Sequence, residues 1–213
     1  MNEEQKPLPW RHISEASSAA LRYIDGRRKG TIKSLATPWK KFNNISMGGI
    51  EWQTITTIAG MSGSGKTAVL GQLETGLKDL NEKDDFAILS FNFEMLSSRL
   101  IGRKLSNKMK LTTQQLYSSS ENFTLNDNYY MNAVQEARKL NKYDINYVDI
   151  PGSVKALEAT ILKFSKDKDK PVIVMLDHTL LVKKVGGAQD RDLLYDLMAM
   201  FNGLKKVIRV SFI

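Results

Sequence analysis

Apolar residues along this chain fall into two rhythms. Short runs of β-branched and aromatic residues alternate with longer stretches in which leucine, isoleucine and valine recur every three or four positions. The short runs are Gln53–Ala59, Phe86–Phe91, Asp144–Asp149, Pro171–His178 and Val207–Ile213, and each predicts a strand. The helical stripes carry Ile13, Ala20, Leu21 and Ile24, then Val69, Leu70, Leu73, Leu77 and Leu80. Later stripes carry Val154, Leu157, Ile161, Leu162 and Phe164, and finally Leu193, Leu194, Leu197, Met198, Phe201 and Leu204. Leu96–Asn107 and Asp127–Leu140 also read as helices. Strands alternating with helices predict an α/β fold, a mainly parallel sheet flanked by helices.

Polar punctuation divides the pattern. Residues 1–36 read as a tail followed by one helix, and 37–213 as a core domain. Ser14 can cap the first helix, Asp25 closes it, Gly26 ends it, and Arg27–Gly30 follows as a loose basic joint. That helix could fold back on its own core or dock on a neighbouring subunit. Thr37–Gly49 is a turn-rich lead-in whose Trp39, Phe42 and Ile45 read as packing residues. Ser118–Asn122 is a polar loop, Ser153 caps a helix, and Lys166–Lys170 is a solvated charge run.

One stretch carries specific chemistry. Gly60–Thr67 reads GMSGSGKT and fits G-x-x-x-x-G-K-[ST] at every fixed position. Those positions coincide by chance in roughly one chain per hundred of this length. Here a β-branched run precedes the loop and a helical stripe follows it, the context the motif requires. Gly60, Ser62, Gly63, Ser64, Gly65, Lys66 and Thr67 therefore form a candidate nucleotide cradle. Glycines let backbone N–H groups approach phosphate oxygens, and the helix that follows adds its positive N-terminal end. Lys66 would reach the β- and γ-phosphates, and the Thr67 hydroxyl would ligate Mg²⁺.

Two further carboxylates sit at strand ends, where parallel α/β sheets bind ligands. Five apolar residues of Val172–Leu176 run into Asp177, a candidate for the Mg²⁺ shell opposite Thr67. His178 beside it could sense the γ-phosphate or simply end the strand. Glu94 follows Phe86–Phe91 and could polarise a water, or could be an acid favoured at a helix N-terminus. Lys183–Arg191 is a basic, glycine-containing loop leaving the same sheet edge as Asp177. Its Lys183, Lys184 and Arg191 could meet a nucleic-acid backbone, or the loop could be an ordinary surface feature.

Composition narrows the classes. The chain has 213 residues, 42% hydrophobic, enough for one sizeable domain. No apolar run approaches a membrane span, and the first residues show no secretory h-region. Cysteine is absent, which fits a cytoplasmic protein, and with two histidines a structural zinc site is disfavoured. A formal charge of +8 permits a polyanionic partner.

Together these blocks resemble the RecA-like ATPase domain of DnaB-type replicative DNA helicases over roughly residues 13–213. The resemblance rests on the helix Ile13–Asp25, the lead-in Thr37–Gly49, GMSGSGKT, SFNFEM, INYVDIPG and VIVMLDHTLLV in this order. SFNFEM argues against a recombination or clock-type relative. The resemblance implies that Glu94 is the catalytic glutamate, that Lys66 and Thr67 hold phosphate and Mg²⁺, and that Asp177 belongs to the Mg²⁺ shell. It implies that His178 lies near the γ-phosphate, that Lys183–Arg191 is a central-channel DNA loop, and that Ile13–Asp25 is a linker helix docking within a hexameric ring.

The implied function is ATP-dependent translocation on single-stranded DNA and duplex unwinding, with ATP and Mg²⁺ as cofactors. A primase or loader is a possible partner, no membrane is involved, and the setting is a bacterial or phage-infected cell. The family continues past the strand ending SFI into a glutamine motif and an arginine finger, which these residues lack, so the chain reads as C-terminally truncated. Without a finger, typically worth about 10³–10⁵ in related enzymes, hydrolysis would be poor. The alternative expectation is an ATP-binding module that joins or regulates a helicase ring without being a motor.

Overall fold

A computed structural model describes residues 9–119, 125–187 and 189–213. The chain divides into two compact units, Met1–Ser34 and Leu35–Ile213. The first holds helix α1, Ile13–Arg28. Its cap is His12, whose side chain accepts from the Ser14 N–H, so the expected Ser14 cap lies one residue inside the helix. The helix also runs past Gly26, because Asp25 pairs with Arg28 at 2.8 Å and Lys29 at 2.6 Å and supports an extra turn. Ile13, Leu21 and Ile24 of α1 are all exposed.

In the second unit the elements follow the order α2 Lys40–Ile45, α3 Lys66–Leu80, β1 Ala87–Asn92, α4 Ser97–Met109, α5 Thr113–Tyr117 and α6 Asp127–Leu140. Then come β2 Ile145–Val148, α7 Val154–Lys168, β3 Val172–Asp177, a 3₁₀ turn Thr179–Leu181, α8 Asp190–Val207 and β4 Val210–Phe212. Four strands form one parallel sheet in the order β2-β1-β3-β4. Both central strands are almost wholly buried, as expected where helices cover both faces.

Successive side chains alternate between two cores. Leu89, Phe91, Val172 and Val174 face α7 and α8, meeting Leu157, Ile161, Leu193, Leu197, Phe201 and Leu204. Ile88, Ile173 and Met175 face the other way, onto Leu73 and Leu77 of α3 with Leu35, Ile50 and Phe86. Burying one such leucine or isoleucine stabilises the fold by about 1.5–3 kcal/mol. The result is a three-layer sandwich that seats α3 directly on β3.

Two expectations change. Gln53–Ala59 is not a full strand: only Ile55 bridges Phe212, with Phe212 N–H to Thr54 O at 3.0 Å and Thr56 N–H to Phe212 O at 2.8 Å. Within the lead-in, Trp39 and Phe42 pack against the α3-side core, but Ile45, ending the short α2, is 83% exposed. The polar loop expected at Ser118–Asn122 lies partly outside the described residues.

Candidate nucleotide site and nucleic-acid loop

The glycine loop turns into α3 through two left-handed residues, Gly63 at φ 75° and Gly65 at φ 90°, where a Cβ would be strained. A Cβ at Gly60 would lie 2.5 Å from Ser64 Oγ, so that hydroxyl would have to rotate away. Gly65 caps α3 without any side-chain hydrogen bond, so the first-turn N–H groups remain available to an anion. The Lys66 ammonium donates to Gly60 O at 2.8 Å and Met61 O at 2.9 Å, staying inside the curl of its own loop. Ser62 and Ser64 are exposed on that loop, and Thr67 lies half-buried in the first turn of α3.

The register of β1 on β3 pairs Asn92 with Asp177 at the carboxyl end of both strands. One residue on, Phe93 N–H donates to Asp177 O at 2.9 Å. Glu94 follows in an exposed bend, three residues before α4 begins at Ser97. It is therefore outside the first turn of that helix, where a dipole-favoured acid would sit. Asp177 is only 7% exposed, and among the described residues its carboxylate accepts no hydrogen bond. His178 is half-buried and joined to Asp177 by a cis peptide bond.

Among the described residues no buried side-chain oxygen lacks a partner, so the Asp177 carboxylate oxygens, which accept no hydrogen bond, reach solvent and are open to a cation. No group of three or more His, Asp or Glu side chains gathers among the described residues. Mg²⁺ takes one or two protein oxygens and completes its shell with water and phosphate, so a hydroxyl and a carboxylate such as those of Thr67 and Asp177 are donors of the right kind.

A match to the family model described as DnaB-like helicase C terminal domain spans residues 34–210. This chain belongs to the DnaB-like helicase C-terminal domain family. Membership makes it a RecA-like phosphate-loop domain of the replicative-helicase type, in a nucleotide-binding ATPase family. A solved structure described as an ATPase domain superposes with TM-score 0.70 at 17% identity, covering 96% of this chain and 70% of that one. A second, of a DnaB-like replicative helicase studied for its interactions with primase, gives TM-score 0.70 at 18% identity, covering 96% and 48%. No curated protein matches. At these identities the superpositions establish the fold, and the chain spans about half of the second protein.

In this DnaB-like domain the expected DNA loop is shorter than the basic run. A capping box between Gln189 and Asp192 starts α8 at Asp190, placing Arg191 on the helix. Lys184 pairs with Asp190, and Lys183 is held at its backbone, its N–H donating to Gly152 O at 2.9 Å. Arg191 lies beside Asp192, Tyr195 and Asp196 around a shallow depression. Ala188 lies outside the described residues.

Sequence reasoning missed what holds α4 in place. Leu96 caps that helix without a side-chain acceptor, and Asp149 supplies one from beyond β2. Beneath it, Lys104 of α4 meets Glu74 of α3 at 2.9 Å, and Tyr147 of β2 donates its hydroxyl to the same carboxylate. Burial, and then the Glu74 charge, push the Tyr147 phenol above its ordinary range, so it stays a donor. These partners lie 30 and 43 residues from Lys104 along the chain, and no local motif announces them.

Proposed function

We propose that this domain binds ATP with Mg²⁺ at GMSGSGKT and hydrolyses it to drive movement along single-stranded DNA within a hexameric ring. Lys66 neutralises the β- and γ-phosphates, and the N–H groups around Gly63 and Gly65 cradle them. Thr67 and Asp177 hold Mg²⁺, which supplies charge neutralisation on the phosphates. Glu94 aligns and polarises the attacking water. His178 stands next to Asp177 as the γ-phosphate contact. The observation that carries this reading is the junction of β1 and β3: Asn92 pairs with Asp177, Phe93 bonds to it, and Glu94 follows, exposed and uncommitted.

Lys183, Lys184 and Arg191 are the proposed contacts to the DNA backbone. Helix α1 is the proposed docking element between subunits, and a primase or loader is the partner class of the assembled ring. ATP turnover with and without single-stranded DNA tests the reading, with Glu94→Gln as control. Turnover that DNA stimulates and the variant abolishes supports it. Nucleotide binding that survives Lys66→Ala would refute the site.

One observation favours a second reading, an ATP-binding module that joins or regulates a ring. The Lys184–Asp190 ion pair and the neighbouring Asp192 leave the loop less basic than its lysines suggest. Nucleotide binding with neither turnover nor DNA affinity would select this reading.

A further inference from the structure

We propose that Asp149 is a positioning residue for Glu94, acting through Ser97 at the start of α4. The proposal rests on Glu94 being the water-activating group.

Glu94 occupies a bend of three residues, Phe93–Met95, between β1 and α4. Among the described residues its own side chain makes no hydrogen bond or ion pair. Its placement therefore depends on how the two ends of the bend are fastened. The first end is tied by Phe93 N–H to Asp177 O at 2.9 Å. The second end is Ser97, the first helical residue, whose predecessor Leu96 has no side chain able to cap.

Asp149 takes over that task from 52 residues away. Its Oδ1 accepts the Ser97 N–H at 3.0 Å and its Oδ2 accepts the Ser97 hydroxyl at 2.7 Å. Both oxygens are thus engaged by one residue, and the negative charge sits at the positive end of a 13-residue helix. An acid committed this way is poorly suited to proton transfer but well suited to locking a backbone. Asp149 immediately follows β2, which is paired to β1 through Phe91↔Val148. The cap therefore fastens the bend to the same sheet edge that carries Asp177. Deeper along α4, the Glu74–Lys104–Tyr147 contacts join that helix to α3, which begins with Lys66. The loop that holds phosphate and the bend that holds Glu94 share one frame.

The test uses the full chain with Asp149→Ala, Asp149→Asn, Ser97→Ala and Ser97→Thr, each first checked for cooperative unfolding. Amide hydrogen exchange of residues 93–100, binding of a fluorescent ATP analogue, and steady-state ATP turnover are then measured. Asp149→Ala should speed exchange in 93–100 and lower kcat by roughly tenfold each, the loss expected of a charge-assisted hydrogen bond. Nucleotide affinity and KM should stay within about twofold, because the phosphate loop is untouched. Asp149→Asn keeps an acceptor for the Ser97 N–H and should fall between, and Ser97→Thr should retain what Ser97→Ala loses. Unchanged exchange in Asp149→Ala overturns the proposal. So does a loss of nucleotide affinity equal to the loss of kcat, which marks general structural damage. If the wild-type chain binds nucleotide without turning it over, the exchange result alone decides. A wild-type chain that binds no nucleotide refutes the proposed function, and this proposal with it, before any variant is made.

Discussion

Lys104→Met isolates the energetics of the frame beneath the site. Lys104 and Glu74 are 11% and 3% exposed, and their charged atoms lie 2.9 Å apart. Methionine matches the lysine stem in length but removes the ammonium, leaving the Glu74 carboxylate with only the Tyr147 hydroxyl. Breaking one side of a buried pair costs about 3–5 kcal/mol. A cavity of about 330 Å³, lined by Lys104, Thr75, Ile101, Leu140 and Tyr147, lets water approach and places the expected loss near the lower end. A loss of about 3 kcal/mol should lower Tm by about 6–12 °C in a chain of this size. Urea unfolding followed by circular dichroism reads the free energy directly. The triple variant Glu74→Leu, Lys104→Met, Tyr147→Phe should recover to within about 1 kcal/mol of the wild type, since an apolar replacement also removes the desolvation cost. A loss below about 1 kcal/mol for Lys104→Met alone would refute the reasoning, because an ordered buried pair cannot be broken so cheaply.

Four further outcomes follow from other parts of the fold. Gly49 sits at φ +130° with a Cβ position 2.0 Å from Leu35 O, so Gly49→Ala should break the Leu35–Ile50 bridge and cost about 3 kcal/mol or more in thermal unfolding. Gly203, four residues before the end of α8 with open space around it, should do the reverse: Gly203→Ala should raise Tm by about 2–4 °C. Burial alone would push the Asp144 carboxyl up, but hydrogen bonds from Lys168, Lys170 and Asn146 outweigh it and hold the pKa at about 2. Discounted for solvent screening, that depression contributes on the order of 1 kcal/mol, present above about pH 4 and lost as pH falls toward 2, so Asp144→Asn should flatten acid unfolding across that window. Finally, Lys183→Ala should reduce the salt dependence of single-stranded DNA binding by a slope of about 0.7, and Asp190→Asn, which releases Lys184, should tighten binding at low salt. Titration of a labelled oligonucleotide across salt concentrations checks both.

What could be read from the chain divides along physical lines. Asp127–Leu140 is a helix over the expected span, because helical spacing and the Asn126 side-chain cap agree locally. Strands β1 and β3 are legible as mainly apolar runs, since burial on both faces favours apolar residues, with Ser90, Asn92 and Asp177 as buried polar exceptions toward the strand ends. Gln53–Ala59 reads as a strand because β-branched composition reports strand preference, whereas the ladder bonds made there are those of Thr54 and Thr56 to Phe212. Arg191 was placed in a loop because the capping box Gln189–Asp192 uses a glutamine, an uncommon cap. Within the site, the residues of the phosphate loop were visible as a local motif. The Asp149 cap and the Lys104 contacts were not, since they join residues dozens of positions apart with no repeating pattern to mark them.

The distribution of satisfied charges separates scaffold from site. At the amino-terminal end of the sheet, Asp144 binds Lys168 and Lys170, and Lys170 also binds Asp85 at 2.8 Å. Between α3 and α4, Glu74 is satisfied by Lys104 and Tyr147. At the carboxyl-terminal edge the rule reverses. Asp177 is buried and Glu94 exposed, yet neither makes an ion pair among the described residues, and Lys66 reaches only carbonyls of its own loop. Because no buried side-chain oxygen lacks a partner among the described residues, the Asp177 carboxylate keeps access to water and can exchange that water for a cation. Under the proposed function a metal-bound triphosphate would meet these groups with the right signs: a cation for Asp177 and anionic oxygens for Lys66. Asp177 and Glu94 stand at the edge where β1 and β3 end, whereas the paired groups named above lie elsewhere in the scaffold.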